Sequence, residues 1–133
     1  MDFDEEYARG VISHNAKRIY CVVKDDSTLL IDEIKRRGGF SREEKSKFDA
    51  ALIELQMKLY ITMCGAKQKI SDTGEEYGWP STIFCTVEKF WRKTVFEAAA
   101  KMSVKEAVDK ITEQIYSINP AADKKRVKKF IEG

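Results

Sequence analysis

The sequence predicts an α+β fold, mostly helical, and three observations lead there. Two amphipathic segments, about 31–37 and 41–59, are separated by only a few residues that include Gly38-Gly39. A short glycine-containing turn between two helices is the helix-turn-helix signature. Two runs rich in β-formers follow, Leu59 to Cys64 and Thr82 to Val87, with a polar interval between them. They read as a hairpin with a wide loop. From Thr86 the pattern is helical again. Helix, turn, helix and hairpin in this order make a winged helix-turn-helix over 1–91. Residues 92–133 then form an extension of two or three C-terminal helices, packed on that domain or on a partner.

Ser13 caps a helix through about Lys24. Ala16, Ile19, Tyr20 and Val23 recur at helical spacing as its buried face, and Lys17 and Arg18 turn outward. A polar break at Asp25-Asp26-Ser27 precedes the short helix, whose Leu30, Ile31 and Ile34 face inward. Gly38-Gly39 stops it, because glycine accepts the left-handed conformation that ends helices. Lys35, Arg36 and Arg37 suit the negative end of its dipole, and compete equally as phosphate ligands.

Ser41-Arg42-Glu43-Glu44 is a capping box, and Phe48, Ala51, Leu52, Leu55 and Leu59 form the apolar stripe behind it. Arg42, Ser46, Asp49, Ile53 and Gln56 share another flank. Those are residue types that read base edges: arginine for guanine, glutamine for adenine, small or apolar groups for thymine methyls. From Arg42 to Lys58, however, four bases meet four acids. Glu43, Asp49 and Glu54 are expected to repel phosphates.

Gly65 ends the first strand, and Ser71-Asp72-Thr73-Gly74 is a turn. In Tyr77-Gly78-Trp79-Pro80, the favoured role of Trp79 is a plug between hairpin base and core; stacking on a partner competes. Lys67 and Lys69, two apart, point to one side of an extended segment. Wings touch phosphate or the minor groove, so these lysines are the preferred backbone contacts.

Trp91, Val95, Ala98 and Met102 lie on one helical face, with Phe90 beside it. Ser103-Val104-Lys105-Glu106 is a second capping box, opening a stripe of Val104, Ala107, Val108, Ile111, Ile115 and Ile118. Such a stripe covers a core or makes a homodimer contact. Asn119-Pro120 ends that helix and offers the next an N-cap and a first-turn proline. The last helix buries Val127, Phe130 and Ile131 and exposes Lys124, Lys125, Arg126, Lys128 and Lys129.

The chain of 133 residues carries a net charge of +2. Residues 1–91 hold 14 basic and 16 acidic side chains, residues 92–133 hold 10 and 6, and four of the acids fall in the first six positions. The middle is therefore mildly basic, which permits phosphate contact without demanding it. No apolar run approaches the roughly 18 residues of a membrane span. The acidic start is no secretory signal, so the expected compartment is the cytoplasm. Cys21, Cys64 and Cys85 sit in apolar runs without a C-x-x-C pair and read as buried reduced thiols. With His14 the one histidine, zinc is rejected. Phosphate-loop, dinucleotide, zincin and nucleophile-elbow motifs are absent. The carboxylate pairs at 25–26, 43–44 and 75–76 fall at helix starts, breaks or loops, where nothing desolvates them. Neither catalysis, a metal nor a small-molecule cofactor is expected.

The segments AKRIY (16–20), GFSREEKSKFDAALIELQMKLYITMCG (39–65) and SDTGEEYGWPSTIFCTVE (71–88) resemble the winged-helix portion of AlkZ-related proteins. The resemblance covers about residues 3–91. It implies a winged-helix fold and a DNA-related role, since the family is related to a winged-helix DNA glycosylase that acts on interstrand crosslinks. Those glycosylases use a Gln-x-Gln motif. Gln56, Gln68 and Gln114 are not two apart, so no catalytic residue carries over. The expected function is duplex DNA binding, as a transcriptional regulator or DNA-repair accessory. Arg36, Arg42, Lys45, Ser46, Gln56, Lys67 and Lys69 are the expected contacts. One alternative is a non-enzymatic protein-interaction module using Ala50, Ile53 and Met57. Another is a glycosylase-related chain that lacks its catalytic segment.

Overall fold

The computed structural model describes residues 2–133, and the chain divides into two compact units, the first ending at Arg92 and the second spanning Lys93–Gly133. The first unit runs α1 (Phe3–Ala8), α2 (His14–Asp25), α3 (Ile31–Arg37), a 3-10 turn (Arg42–Glu44), α4 (Lys45–Met57), β1 (Ile61–Ile70), β2 (Glu76–Thr86) and α5 (Val87–Phe90). The strands pair as an antiparallel hairpin, and Leu30 bridges to Ile83, placing the approach to α3 on the outer edge of β2. This is the α+β, mostly helical winged-helix topology that the sequence predicts.

Its core is Ala16, Ile19 and Val23 of α2, Ile34 of α3, Phe48, Ala51 and Leu55 of α4, and Ile61 and Phe84 at the hairpin root. Helix α1 was not foreseen. Asp2 caps it by accepting the Asp4 amide at 3.2 Å, and three acids occupy the favourable first turn. It delivers Phe3 onto Tyr20, stacked at 3.8 Å, and against the edge of Tyr60 at 5.0 Å. The buried Glu6 carboxylate accepts the Tyr60 hydroxyl at 2.7 Å. Burial, then that bond, pushes the Tyr60 phenol well above its ordinary pKa.

Arg18 corrects an expectation: it does not turn outward. Its Nε donates to the Gly38 carbonyl at 2.8 Å and its Nη2 to the Gly39 carbonyl at 2.6 Å. The guanidinium also lies 3.8 Å from the Phe40 ring centroid, hydrogen-bonds Asn15 at 3.0 Å and faces Glu44 at 3.7 Å. The turn between α3 and α4 exposes carbonyls that helix geometry leaves unpaired, and Arg18 fills them from α2. Gly39 itself is left-handed, φ +73, with Phe40 N–H reaching back to the Lys35 carbonyl at 2.9 Å.

Helix α4 ends the same way without a glycine. Leu59, expected to be buried on the stripe and in the strand, has φ 58 and is 73% exposed. Tyr60 N–H returns to the Leu55 carbonyl at 2.9 Å, which turns the chain sharply into β1. Both strands extend beyond the expected limits, so the wide loop contracts to residues 71–75. Gly65 lies inside β1, after a register irregularity at Cys64. Trp79 does not plug the root; it is 90% exposed. Of the cysteines Cys85 alone is buried, Cys21 is exposed, and all are free. Burial, with a hydrogen bond to Cys64, pushes the Cys85 thiol up to about 12.

In the second unit α6 (Lys93–Ala100), α7 (Val104–Ile118) and α8 (Lys124–Glu132) follow a break at Trp91, whose backbone is extended. The predicted continuous face through Trp91 is therefore interrupted. The second capping box is made reciprocally: Glu106 N–H to Ser103 Oγ at 3.2 Å, Ser103 N–H to Glu106 at 2.7 Å. Asn119 ends α7 but does not cap α8. It accepts the Ala121 amide in a local turn, and Asp123 caps α8 through the Arg126 amide. Val127 is buried, whereas Phe130, expected inside, is 76% exposed.

Replacing Arg18 by alanine should lower stability by about 2 kcal/mol in urea unfolding, through the lost charged hydrogen bonds and ring contact. Lysine should not restore it, because a single ammonium cannot span both carbonyls. Glu44 accepts the Ser41 amide at 3.0 Å, and that bond holds its pKa below the ordinary carboxylate range; Asp26, bonded to Thr28, behaves likewise. Their stabilisation is complete above the ordinary carboxylate range and disappears as pH falls below it. Urea midpoints should therefore drop with acidification in that window, less steeply in Glu44→Gln.

Candidate nucleic-acid interface

Helix α4 presents its core stripe inward and leaves Lys45, Ser46, Asp49 and Ile53 exposed along the outside, with Arg42 exposed in the 3-10 turn before it. Charge on this surface is not what composition suggests. Glu54 turns back to the N-terminus of α2, accepting the Ser13 amide at 2.9 Å and the Ser13 hydroxyl at 2.6 Å. Glu44 serves Ser41 and Arg18. Lys58 donates to the Val11 carbonyl at 2.6 Å. What remains outside are Arg42, Lys45 and Lys47 against Glu43 and Asp49, all exposed. The Glu54 carboxylate keeps its charge, but these contacts hold it at the start of α2.

The predicted contacts divide into two groups. Arg42, Lys45 and Ser46 gather at the N-terminal end of the α4 region, where amides and helix dipole favour anions. Gln56 lies roughly 15 Å further along the helix axis. It is half-buried and donates to the Leu52 carbonyl at 3.2 Å, so its amide bonds within its own helix. Arg36 is exposed in the last turn of α3. Its neighbours are engaged: Lys35 sits 5.1 Å from the Phe48 ring and Arg37 pairs with Asp26 at 3.6 Å.

Lys67 and Lys69 belong to β1 rather than to a loop. Lys67 Nζ reaches the Thr28 carbonyl at 3.5 Å, and Lys69 pairs with Asp32 at 3.7 Å. Both therefore point toward the 28–32 segment, on one side of the hairpin, as their spacing predicts. Between them Gln68 faces an irregular stretch of β2. Lys67 pairs with Ser81 and Lys69 with Tyr77, so Gly78-Trp79-Pro80 bulges opposite Gln68. The Gln68 amide donates to the carbonyls of Tyr77 at 2.9 Å and Gly78 at 2.8 Å.

The roles of Arg18, Glu54 and Gln68 escaped sequence reasoning, and the exposed Trp79 departs from its favoured role as a plug. Only the last had a signal, the aromatic–Gly–aromatic–Pro step. Among the described residues no group of histidine, cysteine and carboxylate side chains is placed to hold a metal. His14 is bonded through Nδ1 to the Tyr7 hydroxyl at 3.2 Å. No described helix is long and apolar enough to cross a membrane.

The sequence matches the family described as AlkZ related over residues 1–132, which carries the resemblance through the C-terminal helices as well. No curated protein and no solved structure matches. Replacing Glu54 by alanine should cost about 1 kcal/mol in urea unfolding, the size of a lost N-terminal helix contact. It should raise affinity for a polyanion less than Glu43→Ala does, which binding of the two variants side by side will check.

Proposed function

The chain belongs to the AlkZ-related family, and from that premise we propose that it is a DNA-binding winged-helix protein. It grips duplex DNA with the 41–59 helix and the 65–81 hairpin, as a regulator or an accessory in DNA repair. The observation that carries this reading is the allocation of charge. Two acids of the helix, Glu44 and Glu54, are consumed by contacts within the fold, and Arg42, Lys45 and Lys47 stay outside. The hairpin adds Lys67 and Lys69 on a common side. The engaged amide of Gln56 makes it a weaker candidate for base reading than Arg42. Contacts to phosphate hold the duplex, and Arg42 with Ser46 reads base edges in the major groove.

A second reading rests on a specific observation. Ile53 and Met57, one turn apart on α4, are 58% and 79% exposed. An apolar ridge there suits a protein partner better than phosphate. Catalysis is not part of either reading, because Gln56, Gln68 and Gln114 form no Gln-x-Gln pair.

Fluorescence anisotropy with random duplex DNA separates the two. With about four phosphate contacts, affinity should fall roughly a hundredfold between about 50 and 200 mM salt. Lys67→Ala with Lys69→Ala should weaken binding and flatten that slope. Absence of binding at low salt would leave the protein-interaction reading. Base release from alkylated or crosslinked DNA should stay at background.

A further inference from the structure

Trp79 is the most exposed large apolar side chain of the first unit, at 90%. It is also held with unusual care. The backbone before it, Gly78, is left-handed at φ +66, and Pro80 fixes the backbone after it. The Gln68 amide clamps the carbonyls of Tyr77 and Gly78 from the opposite strand. Bulges of this kind re-aim a side chain. Here the result is an indole delivered to solvent on a pinned strand, with no aromatic or cationic side chain of the described residues against it.

We propose that Trp79 is a stacking wedge for an unpaired base, so that the chain prefers DNA carrying an unpaired nucleotide to continuous duplex. The proposal rests on the DNA-binding reading and extends it to the kind of DNA. On the paired strand, Lys67 and Lys69 flank Gln68 opposite the bulge and supply the cations that follow a phosphate backbone. Asp72, Glu75 and Glu76 lie at the turn beyond Trp79, so the phosphates run on the lysine side of it. Aromatic stacking with cationic flanks is the general way proteins hold unpaired bases. In continuous duplex both faces of each base are covered, and a wedge must first separate them. An unpaired base has a face free.

The test uses the full chain with a short labelled duplex, either continuous or with one additional unpaired thymine. The wild type should bind the bulged duplex about tenfold more tightly, the scale of one stacked base. Trp79→Ala should erase that preference while affinity for continuous duplex stays unchanged, and Trp79→Phe should keep most of it. In a Trp91→Phe background Trp79 is the remaining tryptophan. Its emission should be quenched by the bulged duplex and much less by the continuous one. Equal binding of the two duplexes, or a preference that survives Trp79→Ala, overturns the wedge while salt-steep duplex binding keeps the DNA reading. Failure to bind either DNA removes both.

Discussion

The guanidinium of Arg18 joins three helices through one planar group. It leaves α2, satisfies the two carbonyls of the Gly38-Gly39 turn, covers the Phe40 ring and faces the Glu44 carboxylate at the start of α4. A helix-turn-helix works only if the second helix is presented at a fixed angle. Glycines make such a turn possible but also leave it loose, since they carry no side chains to pack. Arg18 replaces that missing packing with hydrogen bonds. Phe40 then reaches the core edge-on to Phe48, so the clamp on the turn also sets the depth of α4.

The same logic governs the charges of α4. In a balanced helix, what matters for a polyanion is which charges remain unengaged. Glu44 and Glu54 terminate contacts to the helix-turn-helix and to the start of α2, and Lys58 serves the α1–α2 loop. These are exchanges with backbone amides and carbonyls that need partners in any case. The outward surface is left basic by one charge. That excess is small, so the proposed DNA contact calls on the hairpin lysines as well.

Much of this was legible in the sequence. Helical periodicity located α2, α3, α4 and α7, because burial of one face is a local pattern repeated every few residues. Both serine capping boxes and the glycine turn were legible because their chemistry is confined to four or five consecutive positions. Arg18 was not: beside the buried Ile19 it falls on the outward side of the wheel, and its partners lie twenty positions away. Glu54 failed for the same reason, its partner being 41 positions distant. The strands were drawn short because β1 beyond Gly65 is mostly polar and has no fully buried residue, which erases the alternation that marks a half-buried strand. For Trp79 the sequence favoured the inward of two competing roles, although an exposed aromatic residue is the more informative case.

The hairpin combines a firmly held root with lysines whose own contacts are weak. An isolated two-stranded ribbon is marginal in water. This one is held at its root by Ile61, Phe84 and Thr86 in the interior, and along its edge by the Leu30 bridge. Lys67 and Lys69 add contacts to the segment before and within α3. Lys69 is 33% exposed and Asp32 76%, so their pair is a surface ion pair, worth about 0–1 kcal/mol. In the proposed DNA complex, an exchange of Asp32 for a phosphate would therefore cost the fold little. Stiffness comes from the buried root, and the lysines remain available because their own partners are weak.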